Sequence, residues 1–336
     1  MSLANTVDSD IGKAKTLPSA FYLDPHYFEL SKEHIFARSW QFAAGPEADV
    51  DLTPVTLLPG YLDEPLLLTK QGKCLSNVCT HRGKILVEQA CDANLIRCGY
   101  HGRRFSLDGK FLSMPEFDEV EDFPTDADDL KEIAVAELGG FRFVSLEPAE
   151  SFADYADGAK NLFRSIKAPL NLTETRDYEV NAHWALYCEN YLEGFHIPYV
   201  HKSLNEVVDY GSYTTETFRY SSVQTGYGDK GEPAGRYLFV FPNTMFNFYP
   251  WGVSVNVVEP ISRAKTRIRF LTYISDESKL NTGAGADLHG VELEDEAVVE
   301  SVQKGIRSRF YSHGRYSPTR EQGTHHFHRL IAEFMG

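Results

Sequence analysis

Two short segments each set a thiol beside an imidazole. They are Cys79-Thr80-His81 and, sixteen residues on, Cys98-Gly99-Tyr100-His101. Gly83 and Gly102 follow closely and let the backbone fold tightly around a bound group. Two such loops can clamp one metal centre between them. A set of two Cys and two His suits tetrahedral zinc as well as an iron–sulfur cluster. Zinc fingers usually group Cys with Cys and His with His, whereas here each loop mixes them. If the thiolates take one iron and the imidazoles the other, the product is a [2Fe–2S] centre of raised reduction potential. The cluster is the favoured reading, and zinc stays open. Cys74 and Cys91 fall outside the pattern and read as buried small hydrophobes.

A second constellation is Asn190-Tyr191-Leu192-Glu193-Gly194-Phe195-His196-Ile197-Pro198-Tyr199-Val200-His201. Glu193 and His196 are three apart and would share a helix face. His201 lies five beyond His196, which on an unbroken helix points it elsewhere. Pro198 is expected to break the helix and bring His201 round. Two histidines and a carboxylate with open positions are the ligand set of mononuclear Fe(II) oxygenases. Asp295 is the expected third ligand, on a late helix with the stripe Asp295, Val298, Val299, Val302, Ile306 and Phe310. Its polar face would be Glu296, Glu300, Gln303 and Arg307. Glu294 is the fallback ligand, and Asp295 as a mere helix cap is the bland alternative. His325, His326 and His328 read as structural, and His183 as packed beside Trp184.

The elements that must hold these residues are of two kinds. Residues 1–20 read as a loose arm. Asp24 to Trp40 reads as a helix with Asp24 as cap and Pro25 at its first position. From Phe42 to Leu146, short β-rich runs (Val55–Leu58, Leu66–Leu68, Ile85–Val87, Leu95–Arg97, Phe141–Val144) alternate with turns, as in a small antiparallel domain. The acidic stretch Glu116 to Asp129 reads as a solvated loop. Phe152 to Lys167 and Asn181 to Val200 read as helices. A β meander follows over Arg236–Phe241, Met245–Tyr249, Val253–Val258 and Arg267–Ile274. Asn281 to Gly290 reads as a loop, and Glu292 to Tyr311 as the final helix. The domains expected are therefore an arm and helix (1–38), a cluster domain (39–148) and a catalytic domain (149–336).

Composition bounds the function. The 336 residues hold 33 Lys+Arg against 48 Asp+Glu, a formal charge of −15, which disfavours binding to nucleic acid or an anionic membrane. Hydrophobic residues at 42% and charged residues at 24% fit a globular chain. No apolar run approaches a membrane span, and Met1 to Lys15 is polar, so a cytoplasmic location is expected. Five cysteines make no disulfide framework.

Together the two constellations resemble the alpha subunits of Rieske non-heme iron oxygenases, the ring-hydroxylating oxygenase family, over Phe21 to Phe334. The cluster motif is matched by Cys79, His81, Cys98 and His101. The catalytic motif is matched by Asn190, His196 and His201, with Glu193 where Asp is usual, and the late pair by Asp295 and Gln303. The resemblance implies an α+β fold: a small antiparallel β Rieske domain beside a catalytic domain whose curved antiparallel sheet wraps a long helix, of helix-grip type. It also implies a [2Fe–2S] cluster, a mononuclear Fe(II) and a homotrimer in which His101 of one chain and Glu193 of its neighbour are bridged. Electrons would come from an NAD(P)H-dependent flavin reductase, either directly or through a ferredoxin. Glu193 points to the subset that includes carnitine and glycine-betaine oxygenases. Arg103 stands where the family commonly has Trp, so the packing around the cluster must differ.

Trp184, Tyr187, Tyr191, Phe195, Tyr199, Phe246, Phe248, Tyr249 and Trp251 lie near the triad in sequence. They could box a quaternary ammonium, stack an aromatic ring, or form core. The expected activity is hydroxylation or oxidative demethylation of a small organic molecule by O₂, with a quaternary ammonium ahead of an aromatic ring. From another class, the alternative is a non-catalytic Rieske electron carrier or a zinc-stabilised binding module.

Overall fold

In the computed structural model the chain divides into two compact units, residues 42–148 and residues 1–41 with 149–336. The structure describes residue 3 and residues 6–336, apart from 165, 167, 168, 229, 230, 281, 282 and 287.

The smaller unit is built of β-strands, with one short 3-10 turn at Asp126–Asp128. Strands β1 (Gln41–Ala44), β2 (Leu52–Leu57), β3 (Glu64–Thr69), β4 (Cys74–Ser76), β8 (Glu132–Leu138) and β9 (Phe141–Ser145) form one sheet in the order β1-β9-β8-β4-β3-β2. Between β4 and β8 the chain makes a second, three-stranded sheet from β5 (Ile96–Arg97), β6 (Arg104–Phe105) and β7 (Phe111–Ser113). Leu67, Leu75, Leu86, Ile96, Phe105 and Leu130 pack into one core with Cys79 and Cys98. Ile85–Val87, expected as a strand, makes only the isolated bridge Val78–Ile85, because Asn77 binds the Val87 backbone through its side chain. Cys74 is buried as expected, whereas Cys91 is exposed at a bridge to Leu52.

The larger unit is built on seven antiparallel strands in the order β10-β16-β15-β14-β13-β12-β11. They are β10 (Asn171–Val180), β11 (Thr214–Thr217), β12 (Ser221–Tyr227), β13 (Pro233–Val240), β14 (Thr244–Tyr249), β15 (Gly252–Ser262) and β16 (Lys265–Ile274). Edge strand β10 is mostly exposed, while β14 and β15 are buried almost without interruption. A central strand buried on both faces reads as a continuous apolar run, which is why the meander was visible in sequence.

The helices are α1 (Ser19–Leu23), α2 (Pro25–Ser31), α3 (Phe152–Tyr155), α4 (Lys160–Arg164), α5 (Trp184–Tyr191), α6 (Ile197–Val200), α7 (Lys202–Asn205), α8 (Leu288–Gly305) and α9 (Gln322–Phe334). Several differ from expectation. The N-terminal stretch is not loose: Thr16 N donates to Gly314 O, Arg315 binds the Gly12 and Ala14 carbonyls, and Ala14 and Leu17 are buried. Asp24 does cap α2 with Pro25 at its start, but the helical stretch ends in a π turn at Phe36 rather than at Trp40. The helix expected over Phe152 to Lys167 is two short ones, with Lys167 outside the described residues. In the loop expected from Asn281 to Gly290, positions 281, 282 and 287 are outside them too, and α8 already begins at Leu288. Helix α8 ends at Gly305, so Phe310 lies beyond it and is exposed. Its buried side carries Glu292, Val299 and Gln303, with Ile306 buried just beyond its end, whereas Val302 is exposed. Gln303, expected on the polar face, is drawn in because its Oε1 accepts from the His183 backbone N–H at 2.7 Å.

Candidate functional site

The two Cys–His loops are built alike. In the first, Cys79 N donates to Lys84 O at 2.8 Å and Gly83 N to Cys79 O at 3.0 Å. In the second, Cys98 N donates to Arg103 O at 2.8 Å and Gly102 N to Cys98 O at 3.1 Å. Both turns need a glycine at positive φ, 72° at Gly83 and 76° at Gly102. Each loop thus presents its ligand pair from the same backbone shape. The rings of His81 and His101 lie 4.8 Å apart, and the Cys79 and Cys98 thiols are in hydrogen-bond contact. Sulfur is paired with sulfur and imidazole with imidazole, although the sequence alternates them.

This arrangement fits a two-iron cluster better than one ion. The four residues do not form a group of three or more donors within 4.8 Å, as a single tetrahedral zinc requires. The Nδ1 atom of His101 is buried with no hydrogen-bond partner among the described residues, as suits an atom reserved for a metal bond. Backbone N–H groups aim at the sulfurs, Tyr100 N at 3.4 Å from Cys98 Sγ. Burial opposes thiolate at Cys98, but the amides of Tyr100 and His101 and the neighbouring Cys79 thiol prevail and lower its pKa.

Arg103 has an account. It is 2% exposed, reaches Asp128 Oδ1 at 2.5 Å, and lies over the rings of Phe105, Phe111 and Phe123 at 4.9–5.8 Å. Thr80 Oγ1 donates to the Asp128 carbonyl at 2.9 Å. One residue of the acidic stretch therefore ties both cluster loops together, while most of that stretch is exposed as expected.

In the larger unit the break comes earlier than Pro198. Helix α5 stops at Tyr191, and Glu193 to His196 form an irregular turn before α6, where Pro198 sits in the first turn. The Cβ of any residue at 323 would stand 2.3 Å from Leu192 O, so Gly323 lets α9 press directly on this turn. Glu193 does not use helical spacing to reach His196. Its Oε2 instead caps the turn, accepting from Phe195 N and from His196 N at 3.1 Å.

The turn brings three atoms together. His196 Nε2 and His201 Nε2 are 3.1 Å apart, and Asp295 Oδ1 is 3.5 Å from the first and 3.0 Å from the second. A first-row divalent ion bound about 2.1 Å from each donor holds neighbouring ligands about 3.0 Å apart. Among the described residues this is the group whose donors all lie within 4.8 Å. The outward nitrogens are each held by a carboxylate: His196 Nδ1 by Glu193 Oε1 and His201 Nδ1 by Glu294 Oε2, both at 2.7 Å. That fixes the ring tautomers so that Nε2 faces the centre. Asn190 Nδ2 donates to Asp295 Oδ1 at 2.5 Å. Burial opposes a charge on His201, but Asp295 and Glu294 outweigh it and raise its pKa. Glu294, the fallback ligand, is thus an orienting partner of His201.

A cavity of about 780 Å³, counting its open mouth, adjoins the triad. Of the aromatics near the triad in sequence, Tyr187, Tyr191 and Tyr249 line it, joined by Tyr213, Tyr237 and Phe270. Trp184, Phe246, Phe248 and Trp251 are core, and Phe195 and Tyr199 are exposed. Tyr237 and Phe270 were missed because they point inward only through strand register: Tyr237 pairs with Asn247, and Phe270 with Asn256. Asn247 accepts from Tyr191 OH at 2.9 Å, and its amide reaches Asn256 Oδ1 at 3.3 Å. Glu292, also missed, is 4% exposed, and burial pushes its carboxyl up to about 8.

The remaining histidines are not brought to either centre. His183 packs against Trp184, with burial lowering it to about 3. His325 Nε2 contacts Asp8 O, His328 Nδ1 contacts Tyr316 OH, and burial lowers His326 to about 4.

No helix among the described residues is long and apolar enough to cross a membrane. Residues 44–124 match the Rieske [2Fe–2S] domain, and residues 226–336 match the ring hydroxylating alpha subunit catalytic domain. The chloroplastic choline monooxygenase of Arabidopsis thaliana is 30% identical over 95% of this chain and 82% of its own length. The carnitine monooxygenase oxygenase subunit of Escherichia coli K12 is 28% identical over 96% and 94%. The structure of a quaternary ammonium Rieske monooxygenase in complex with L-carnitine superposes with a TM-score of 0.81 at 26% identity, covering 100% of both chains. A naphthalene 1,2-dioxygenase shares the fold, with a TM-score of 0.77 at 18% identity over 100% of this chain and 95% of its own. Rieske domains carry a [2Fe–2S] cluster, and catalytic domains of this kind use a mononuclear iron. Such alpha subunits take electrons from a partner reductase or ferredoxin and form multimers. From these likenesses and the two-unit α+β fold, the chain belongs to the Rieske non-heme iron oxygenases, as an oxygen-incorporating alpha subunit.

Proposed function

We propose that this chain is the terminal oxygenase of a system that hydroxylates or oxidatively demethylates a small quaternary ammonium compound. The observation that carries the reading is the cavity, whose aromatic walls lead to the His196–His201–Asp295 group. Tyrosine and phenylalanine faces attract a cation that has no N–H to donate. The likeness to oxygenases of choline and carnitine supports the same class.

In this reading Cys79 and Cys98 hold one iron of the cluster and His81 and His101 the other. His196, His201 and Asp295 hold the mononuclear iron. The cluster would supply electrons and the mononuclear iron would activate O₂ beside the substrate. The protein groups position and exclude. Glu193 and Glu294 hold the two imidazoles, and Asn190 steadies the Asp295 carboxylate. The tyrosines keep the substrate's methyl groups at the triad and displace water. In a homotrimer, His101 of a neighbouring chain would complete the bridge through the Glu193 carboxylate, which is only partly buried beside His196. The electron donor is an NAD(P)H-dependent flavin reductase, acting directly or through a ferredoxin.

The test is O₂ uptake by the iron-loaded protein with such a reductase, offered betaines, choline or carnitine on one side and benzoates on the other. Coupled product formation with the ammonium compounds is expected. Coupling to aromatics alone would overturn the substrate class. Stoichiometric zinc in place of about three irons per chain would overturn the oxygenase reading itself.

A further inference from the structure

Among the described residues three carboxylates line the cavity: Glu193, Glu292 and Asp295. Two are engaged, Glu193 by His196 and Asp295 by the histidines and Asn190. Glu292 differs. Its Oε2 accepts from Tyr187 OH at 2.7 Å, but its Oε1 is buried and has no partner among the described residues. A carboxylate oxygen out of water and unpaired costs free energy, so such a group calls for a counter-charge. Among the described residues no Lys or Arg lines the cavity to supply one.

Its position suits a ligand. Glu292 and Asp295 are three apart on α8, so they share a face about 4.5 Å apart along the axis. A group bound at Glu292 therefore lies one helical turn from the candidate metal centre. Tyr187, Tyr249 and Phe270 stand around the same cavity. A tetraalkylammonium needs only charge and ring faces.

We propose that Glu292 is the residue that selects the cationic substrate, with its free Oε1 as counter-charge to the quaternary ammonium and Tyr187 holding the other oxygen in place. This rests on the substrate class proposed above and names the residue that enforces it. Burial favours the protonated carboxyl in the empty cavity, and an adjacent cation shifts that balance toward the carboxylate.

The test measures binding of choline and of its uncharged isostere 3,3-dimethylbutan-1-ol to the full, cluster- and iron-loaded protein by calorimetry. Wild type is expected to prefer choline. Glu292→Gln should weaken choline at least tenfold and change the isostere less than threefold, while Glu292→Asp keeps the preference. Equal loss of both ligands, or none, overturns the proposal and leaves the substrate class standing so long as wild type still prefers choline. A wild type that does not distinguish the two overturns the substrate class and this proposal with it. Should Glu292→Gln lose its iron or cluster, Tyr187→Phe tests the same charge: choline falls severalfold and the isostere does not, and an unchanged choline affinity overturns the proposal.

Discussion

Removing Asp128 tests whether the buried pair with Arg103 holds the cluster loops together. The guanidinium is 2% exposed and the carboxylate side chain 20%, so Asp128→Ala strands a charge that water cannot reach. Breaking a buried pair from one side costs about 3–5 kcal/mol. The three phenylalanine rings still face the cation and offset part of that, so about 3 kcal/mol is expected. At roughly 4 °C per kcal/mol for a unit of about a hundred residues, the smaller unit should melt about 12 °C lower. Arg103→Met should cost less, about 1 kcal/mol, because Asp128 keeps Thr125 N at 2.8 Å and can rehydrate. The double variant should recover most of the loss, since no buried charge remains. The assay is bleaching of cluster absorbance with temperature and urea, followed beside far-UV dichroism. The reasoning fails if Asp128→Ala and Arg103→Met are equally mild, or if the double variant is no more stable than Asp128→Ala.

Glu294→Gln should reduce iron affinity at the triad by about 10–100-fold through loss of the His201 orienting bond, with cluster absorbance unchanged; chelator competition measures it. Gly323→Ala forces a methyl to 2.3 Å from Leu192 O, so it should cost about 1–3 kcal/mol in the larger unit and lower turnover by displacing Glu193 and His196, read by melting and O₂ uptake. The carboxyls of Asp108, Asp128 and Asp129 are held below 3.8: Asp108 first by Ser106, Asp129 first by Lys110, and Asp128 by Thr125 and Arg103 against its burial. Depressed folded values stabilise above the unfolded pKa, so the smaller unit should hold its stability above about pH 4 and lose it as pH falls through those lower values, as acid titration of cluster absorbance would record.

The residue types of both candidate centres were legible because metal ligation needs few chemistries at short spacings. Cys79, His81, Cys98 and His101 stand out from the chain without any knowledge of its fold, as do His196 and His201. The central strands were legible for another reason: strands covered on both faces must be apolar along their length. What sequence could not decide was which atoms meet. At the break before Glu193, α9 presses Gly323 on Leu192, a contact between residues more than a hundred positions apart. The sorting of sulfur with sulfur follows from two loops facing each other. Tyr237 and Phe270 enter the cavity through strand register, and Gln303 turns inward for His183. Local patterns encode ligand chemistry and buried strands because those depend on near neighbours. Burial of Glu292 and of Arg103 depends on what distant segments bring against them, and that is settled only when the chain closes.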